Sequence, residues 1–173
     1  MSSPRGAVMA RKVFYSFHHQ LDGWRAAQIR RIHGVDGNAP VSEADWEKII
    51  ESGDAAISRW VGRQLACRSC TIVLIGTQTA GRKWIRYEIE KSWNDRKGLL
   101  GIYIHNLKDE NGNLSAKGIN PFDLFRVGKD DDKLSSIVST YDPLYSSSAY
   151  ALDFIRQNLV AWVEEAIRIR EEY

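Results

Sequence analysis

The stretch Thr71-Ile72-Val73-Leu74-Ile75-Gly76 decides the fold, because it is a nearly continuous apolar and β-branched run that ends at a glycine. A run of this length without polar alternation is typical of a strand buried on both faces. Such strands lie in the middle of parallel sheets that carry helices on both sides. The stretch therefore predicts the central strand of an α/β domain.

The segment Arg82-Lys83-Trp84-Ile85-Arg86-Tyr87-Glu88-Ile89 follows and opens a helix predicted over residues 83–94. The residues predicted to face the core share one stripe of this helix: Ile85, Ile89 and Trp93. Glu88 falls beside that stripe. Ligands of open α/β sheets bind outside the carboxyl ends of the strands, so Glu88 is predicted to lie at a binding crevice. The alternative is a solvent-exposed ion pair between Glu88 and Lys91, of small energetic value.

Strands and helices alternate along the rest of the chain. Further strands are predicted over residues 12–17, 99–104 and 136–140. Further helices are predicted from about residue 22 to 32, after a Ser42 cap, over residues 54–65, and after residues 146–148, the last with a core stripe of Leu152, Ile155, Leu159, Trp162, Ala166 and Ile169. Residues 34–40 are predicted as a loop, and residues 106–133 as a long excursion that forms part of a lid. This alternation predicts an α/β fold of three layers, with a central, mainly parallel sheet and helices on both faces.

Composition sets the class of protein. The 173 residues are enough for one domain, predicted over residues 11–173 after an N-terminal extension of residues 1–10. Lys and Arg number 24 against 22 Asp and Glu, and this net charge of +2 does not indicate nucleic-acid binding. No apolar stretch approaches the roughly 20 residues that cross a bilayer, and the N-terminus lacks the apolar region of a signal peptide. A cytoplasmic protein that contacts neither nucleic acid nor membrane is expected.

The two cysteines form a Cys67-x-x-Cys70 pair between a predicted helix and a predicted strand. A redox pair needs a helix N-terminus to stabilise the thiolate, and a zinc site needs four ligands. The chain has no second cysteine pair, and its four histidines are scattered. A structural role is predicted for both cysteines, and no metal is expected.

Residues 16–22, Ser-Phe-His-His-Gln-Leu-Asp, follow the first predicted strand. Phe17, His18 and His19 place aromatic and hydrogen-bonding groups at the mouth of that strand, where they can stack on a base. The alternative is that Asp22 caps the next helix and that both histidines are simply exposed.

Residues 76–81, Gly-Thr-Gln-Thr-Ala-Gly, connect the central strand to the Glu88 helix. Their backbone amides can hold a phosphate at the helix N-terminus, or the segment is an ordinary turn. The segment lacks the ending of a nucleotide-triphosphatase loop, and the chain contains neither a dinucleotide-binding Gly-x-Gly-x-x-Gly nor a hydrolase Gly-x-Ser-x-Gly. A phospho-receiver is also disfavoured, because the predicted strand ends in Gly76 rather than in an acceptor Asp.

A single carboxylate is sufficient to cleave the bond between ribose and nicotinamide in NAD+. The leaving group is neutral, so no general acid is needed, unlike the two-carboxylate hydrolysis of ordinary glycosides. The site must stabilise a ribosyl cation, orient the rings and exclude water. Glu88 with Phe17 and Trp84 can fill these roles, and the excursion over residues 106–133 can wall the crevice.

The sequence resembles the TIR-like proteins of the bacterial Thoeris anti-phage defence system. The resemblance spans roughly residues 11–125, and its most specific part is Trp84-Ile85-Arg86-Tyr87-Glu88-Ile89. Its other parts are Lys12-Val13-Phe14-Tyr15-Ser16-Phe17-His18 with Asp22, Val73-Leu74-Ile75-Gly76, Gly101-Ile102-Tyr103-Ile104 and Asn120-Pro121-Phe122.

The resemblance implies a flavodoxin-like TIR fold and an enzyme that responds to a phage-derived trigger. NAD+ would be its substrate rather than a cofactor, and the products would be nicotinamide and a cyclic ADP-ribose-type signal that activates a separate effector. The family's catalytic glutamate falls on Glu88. The residues implied to contact the substrate are Ser16, Phe17, His18, His19, Trp84 and Tyr87. The alternative is a non-catalytic TIR module that binds other proteins, because fold alone does not settle function; self-association is compatible with either.

Overall fold

The computed structural model describes residues 9–173, so the predicted N-terminal extension lies almost wholly outside the described residues. The helices are α1 His19–Arg30, α2 Glu43–Glu51, α3 Asp54–Leu65, α4 Lys83–Asn94 and α5 Ser148–Glu172. The strands are β1 Arg11–Ser16, β2 Val35–Gly37, β3 Cys70–Ile75, β4 Gly98–Tyr103, β5 Arg126–Val127, β6 Asp132–Lys133 and β7 Thr140–Tyr141. Among residues 9–173, no helix combines the length and the apolar character that crossing a bilayer requires.

The central sheet has the strand order β2-β1-β3-β4-β7, and every pairing in it is parallel. This order matches the flavodoxin-like arrangement 2-1-3-4-5, in which ligands bind where the order reverses, between the first and third strands. Ser16 is paired with Val73 at the ends of β1 and β3. The predicted fold class is therefore confirmed, and β3 is the central strand.

Helices cover both faces of this sheet. The core between the sheet and helices α1 and α5 includes Ile72, Leu74, Ile29 and Leu159. On the opposite face, Ile85 and Ile89 of α4 pack on β3 and β4, and α3 packs against β1. Every residue of β3 and β4 is buried. The uninterrupted apolar run of residues 71–75 has this cause: helices remove water from both sides of the strand.

Three predicted boundaries differ from the structure. The predicted loop over residues 34–40 contains β2, and the last strand is Thr140–Tyr141 rather than residues 136–140. Both are edge strands of three residues or fewer, too short to give a recognisable apolar alternation. Helix α1 begins at His19, because the His18 Nδ1 accepts a hydrogen bond of 3.2 Å from the Leu21 N–H. His18 is therefore the cap, and the prediction that Asp22 caps this helix is wrong.

Asp22 instead lies inside α1 as a buried ion pair with Arg25, at 3.2 Å. Its carboxylate packs so closely on Gly76 that a β-carbon at position 76 would collide with it. Arg25 also donates to the carbonyl oxygens of Leu107 at 2.8 Å and Asn113 at 3.0 Å. Together these contacts fix the start of the excursion after β4 against α1 and the β3–α4 connection.

Candidate functional site

A crevice of about 400 Å³ opens at the carboxyl ends of β1 and β3. It is lined by Phe17, His18, His19, Gln20, Trp46, Ile50, Gly81, Arg82, Lys83, Trp84, Ile85 and Glu88. Its volume is within the range of small-molecule sites. The outer wall comes from α2 and not, as predicted, from the excursion over residues 106–133, because that excursion is held away by its contacts with α1 and the β3–α4 connection.

Glu88 lies at the inner end of the crevice and is only 5% exposed. The Ser16 hydroxyl, at the end of β1, donates a hydrogen bond to its Oε2. The other carboxyl oxygen, Oε1, has no hydrogen-bond partner among the described residues and is not fully enclosed, which places it toward the crevice. The alternative of a surface pair with Lys91 is wrong, because Lys91 pairs with Asp95 at 2.8 Å.

The turn of α4 that carries Glu88 is itself anchored in the core. The Ser92 hydroxyl donates to the Glu88 backbone carbonyl at 2.6 Å, and it lies 2.7 Å from the Thr71 hydroxyl of β3. Ser92 and Thr71 are fully buried. Because packing fixes both Ser92 and Thr71, the α4 backbone at Glu88 is held in one position relative to the sheet.

Burial raises the pKa of Glu88 from 4.5 to about 8, and the Ser16 hydrogen bond opposes only part of this rise. At pH 7 the ligand-free carboxyl therefore holds a proton. A cation placed beside Oε1 favours the ionised form and brings the pKa down. The site is thus suited to a ligand that carries or develops positive charge.

The first-strand loop forms an aromatic wall. Phe17 is 8% exposed, its ring centroid lies 4.5 Å from that of His19, and His19 stacks on Trp46 at 4.6 Å. Burial and the nearby Arg30 lower the pKa of His19 to about 4, and burial also lowers the pKa of His18. Both imidazoles are therefore neutral at pH 7. The prediction that these histidines are simply exposed is wrong.

The structure brings together five of the six residues implied to contact a substrate: Phe17, His18, His19 and Trp84 line the crevice, and Ser16 holds Glu88. Tyr87 points elsewhere, since it packs edge-on against Trp84 at 5.5 Å and joins the α3 side of the core. Their roles in binding stay predictions.

The lining residues that the sequence analysis did not predict include Trp46 and Ile50 of α2, and Arg82 and Lys83 at the start of α4. Arg82 and Lys83 belong to the same run of sequence as Glu88, and their charge beside an apolar helix stripe is a signal that sequence alone provides. Trp46 gave no such signal, because an apolar residue in an amphipathic helix is usually core.

Part of the β3–α4 connection forms its own hydrogen bonds. The Gly76 N–H donates to the Thr79 hydroxyl at 2.8 Å, and the Arg82 N–H donates to the Thr79 carbonyl at 3.2 Å. The Gly76 and Arg82 amides are therefore used within the turn, and the phosphate role of residues 76–81 stays a prediction. The exposed positive groups at this edge are the side chains of Arg82 and Lys83.

The cysteines and the candidate metal ligands lie apart from the crevice. Cys67 is exposed, Cys70 is buried at the start of β3, and both are free. Burial raises the pKa of the Cys70 thiol, which makes it a packing residue rather than a nucleophile. Within the described part of the chain, no group of three or more His, Cys, Asp or Glu side chains is placed to hold a metal ion.

Fold and site together define a flavodoxin-like α/β domain with a buried carboxyl group in a ligand crevice at its switch point. The family model described as "Thoeris protein ThsB, TIR-like domain" matches residues 14–109, more than half of the chain, and the chain belongs to this family. It is 41% identical over 121 residues to a protein of Bacillus cereus (strain MSX-D12) named "Putative cyclic ADP-D-ribose synthase ThsB1". That match covers 66% of this chain and 62% of the relative.

Proposed function

We propose that the protein cleaves NAD+ between nicotinamide and ribose and closes the remaining ADP-ribosyl group into a cyclic ADP-ribose-type molecule. The observation that carries this proposal is the position of Glu88: a buried carboxyl group, oriented by Ser16, with one oxygen facing a crevice walled by aromatic rings. Membership of the ThsB TIR-like family and the name of the Bacillus cereus relative support the same reaction.

In the proposed first step, the bond from the ribose anomeric carbon to the nicotinamide nitrogen breaks, and its electron pair leaves with neutral nicotinamide. The positive charge moves from the pyridinium ring to the ribosyl group. Glu88 ionises when the cationic substrate binds, and its Oε1 then faces the charge that develops in the transition state. Because the Glu88 carboxylate and the bound ribosyl group are fixed and removed from water, the attraction between them is stronger than it would be in solution.

In the second step, a nucleophilic atom of the adenosine half attacks the ribosyl carbon and loses its proton to Glu88 or to solvent. NAD+ thereby gives nicotinamide, a cyclic product and one proton. If water attacks instead, the product is linear ADP-ribose. The ring wall of Phe17, His19 and Trp46 supports cyclisation, because it limits the access of water to the cation.

The charges along the crevice suit the rest of the substrate. Arg82 and Lys83 stand at its α4 edge and are exposed; Lys83 pairs with Asp54 at 2.7 Å on the surface, a weak pair that a diphosphate can replace. His18 and His19 are neutral and add no charge that would compete with the ribosyl cation for Glu88. We further propose that the cyclic product acts as a diffusible signal for a separate effector, and that a phage-derived factor triggers its synthesis.

The test is product analysis. Purified protein is incubated with NAD+, with and without lysate from phage-infected cells, and nicotinamide and nucleotide products are measured by chromatography and mass spectrometry. We expect nicotinamide together with a molecule isomeric with cyclic ADP-ribose, and a protein-free filtrate that activates the effector.

Glu88→Gln is the inactive variant, because it keeps the shape and removes the charge. Glu90→Gln, on the exposed side of the same helix, is the matched control and should keep full activity. Linear ADP-ribose alone would refute cyclisation and leave hydrolysis. Absence of any turnover with the trigger present would favour the non-catalytic interaction module instead.

A further inference from the structure

A second cavity, of about 580 Å³, lies between α1 and α2 directly beside the Glu88 crevice. The two cavities share five lining residues: Phe17, His19, Gln20, Trp46 and Ile50. Since the same side chains border both spaces, a ligand that starts at Glu88 can continue past them without leaving the protein surface. The proposed reaction uses only the first cavity.

Large apolar side chains that are exposed, and so contribute little to the core, border the second cavity. Leu21 and Trp24 of α1 are 46% and 57% exposed, and Ile50 of α2 is 45% exposed. Exposed apolar groups that gather around one concave surface indicate a ligand site. Trp24 offers the ring face that a planar base requires.

The two cavities differ in charge. The first carries Arg82 and Lys83 at its edge, whereas the second is bordered by Glu43, Glu47, Asp109 and Glu110. The carboxylate of Asp109 is already engaged, because its Oδ1 accepts the N–H groups of Asn111 and Asn113 at 2.9 Å each.

Glu43 and Glu47 stand one turn apart on the exposed side of α2, and within the described residues neither forms an ion pair. The cation of the second cavity, Arg30, is directed inward: it donates to the Asn38 carbonyl at 2.5 Å and lies over the rings of Tyr15 and Phe17. The free groups of this cavity are therefore carboxylates, which bind hydroxyl and amino groups and repel phosphate.

We propose that the second cavity binds the adenosine half of the dinucleotide, with the adenine ring stacked on Trp24 and the ribose hydroxyls donating to Glu43 or Glu47. This rests on the proposed function, since it places the nicotinamide half at Glu88. The charge pattern follows the ligand: the diphosphate lies in the first cavity, where Arg82 is exposed and Lys83 exchanges its surface partner Asp54 for phosphate, and the uncharged nucleoside lies at the carboxylates. A carboxylate on the ribose diol is also how dinucleotide folds distinguish a free 2′-hydroxyl from a 2′-phosphate.

Binding of the two halves tests this placement without any turnover. Calorimetry measures AMP and nicotinamide mononucleotide separately on the protein and on Trp24→Ala. We expect Trp24→Ala to weaken AMP binding at least fivefold, since stacking of one base on an aromatic ring contributes about 1 to 3 kcal/mol. Binding of nicotinamide mononucleotide should not change, and Trp24→Phe should restore AMP binding.

Tyr150→Ala, an exposed aromatic on α5, is the matched control and should change neither affinity. Equal AMP affinity in Trp24→Ala and the parent protein would overturn the proposal, as would an absence of AMP binding at millimolar concentration. If AMP binds through Trp24 but NAD+ is never consumed, the adenosine site stands and the proposed reaction fails. If NAD+ is consumed and Trp24→Ala binds AMP normally, the proposed reaction stands and the adenosine site fails.

The carboxylates give an independent arm. In a Glu88→Gln background, which does not consume the ligand, NAD+ should bind at least tenfold more tightly than NADP+, because the 2′-phosphate meets Glu43 and Glu47. The double variant Glu43→Gln/Glu47→Gln should narrow this ratio, and Glu51→Gln at the end of α2 should leave it unchanged. If the Glu88→Gln protein that keeps Glu43 and Glu47 binds NAD+ and NADP+ with equal affinity, the proposed contact of these carboxylates with the ribose hydroxyls is wrong.

Discussion

Glu88→Gln should make the protein more stable while it abolishes turnover, and the gain should grow with pH. Burial raises the pKa of the Glu88 carboxyl group to about 8, against an ordinary value of 4.5. The folded protein therefore holds this proton more tightly than the unfolded chain does. A glutamine of nearly the same shape keeps the packing and has no proton to lose.

The direction follows from proton linkage. Below pH 4.5 both states are protonated and Glu88 carries no penalty. As pH rises through 4.5 the unfolded chain ionises first, so the free energy of unfolding falls, and it continues to fall until the folded carboxyl group ionises near pH 8. The gap between the two pKa values corresponds to a loss of up to about 5 kcal/mol. The Glu88→Gln variant does not lose this stability, because glutamine does not ionise.

Urea denaturation of the two proteins, followed by circular dichroism from pH 4 to pH 9, measures the effect. Contributions of all other titrating groups cancel in the difference between the two free energies of unfolding. That difference should rise from pH 4.5 to pH 8 and then level off, whereas the difference for Glu90→Gln should stay flat. A flat curve for Glu88→Gln, or one that falls with pH, would show that the Glu88 carboxyl group is not held in the uncharged form.

Other predictions concern the same crevice. Ser16→Ala removes the hydrogen bond that lowers the pKa of Glu88, so the rise of kcat/KM with pH should move to higher pH; an unmoved profile would contradict the role given to Ser16. Phe17→Ala should lower the free energy of unfolding by about 3 kcal/mol in thermal denaturation, because Phe17 is buried, and should also raise KM for NAD+. Trp84→Ala should raise KM with a smaller loss of stability, since Trp84 is half-buried; a stability loss as large as that of Phe17→Ala with unchanged KM would make Trp84 a packing residue. EDTA should leave turnover unchanged, because the proposed chemistry needs no activated water, and a loss reversed by added divalent cation would refute this.

The parts that the sequence predicts best are the segments whose residues are all buried, or are buried at regular spacing. β3 and β4 are buried on both faces, so their apolar runs are readable, and Ile85 and Ile89 repeat with helical spacing against them. Glu88 could be placed at the crevice because a helix that follows a central strand begins at the binding edge of the sheet.

The parts that the sequence does not predict depend on contacts between distant segments. His18 is a helix cap because of where the chain leaves β1, and His19 is neutral because Trp46, from another helix, covers it. The raised pKa of Glu88 also arises from burial that no local pattern records. The short edge strands β2 and β7 form only because a neighbouring strand is already in place.

Helix α2 contributes Trp46 and Ile50 to the crevice although none of its own residues is buried. Its contacts with the core are made by two partly buried side chains, Trp46 and Ile49, which pack on the cluster around Phe14, so substitutions at its exposed positions should cost little folding free energy. The sequence of α2, which forms the outer wall of the crevice, can therefore vary more freely than the residues around Glu88. A library that seeks altered nucleotide preference is best confined to the exposed positions of α2, where sequence diversity can be sampled with little loss of stability.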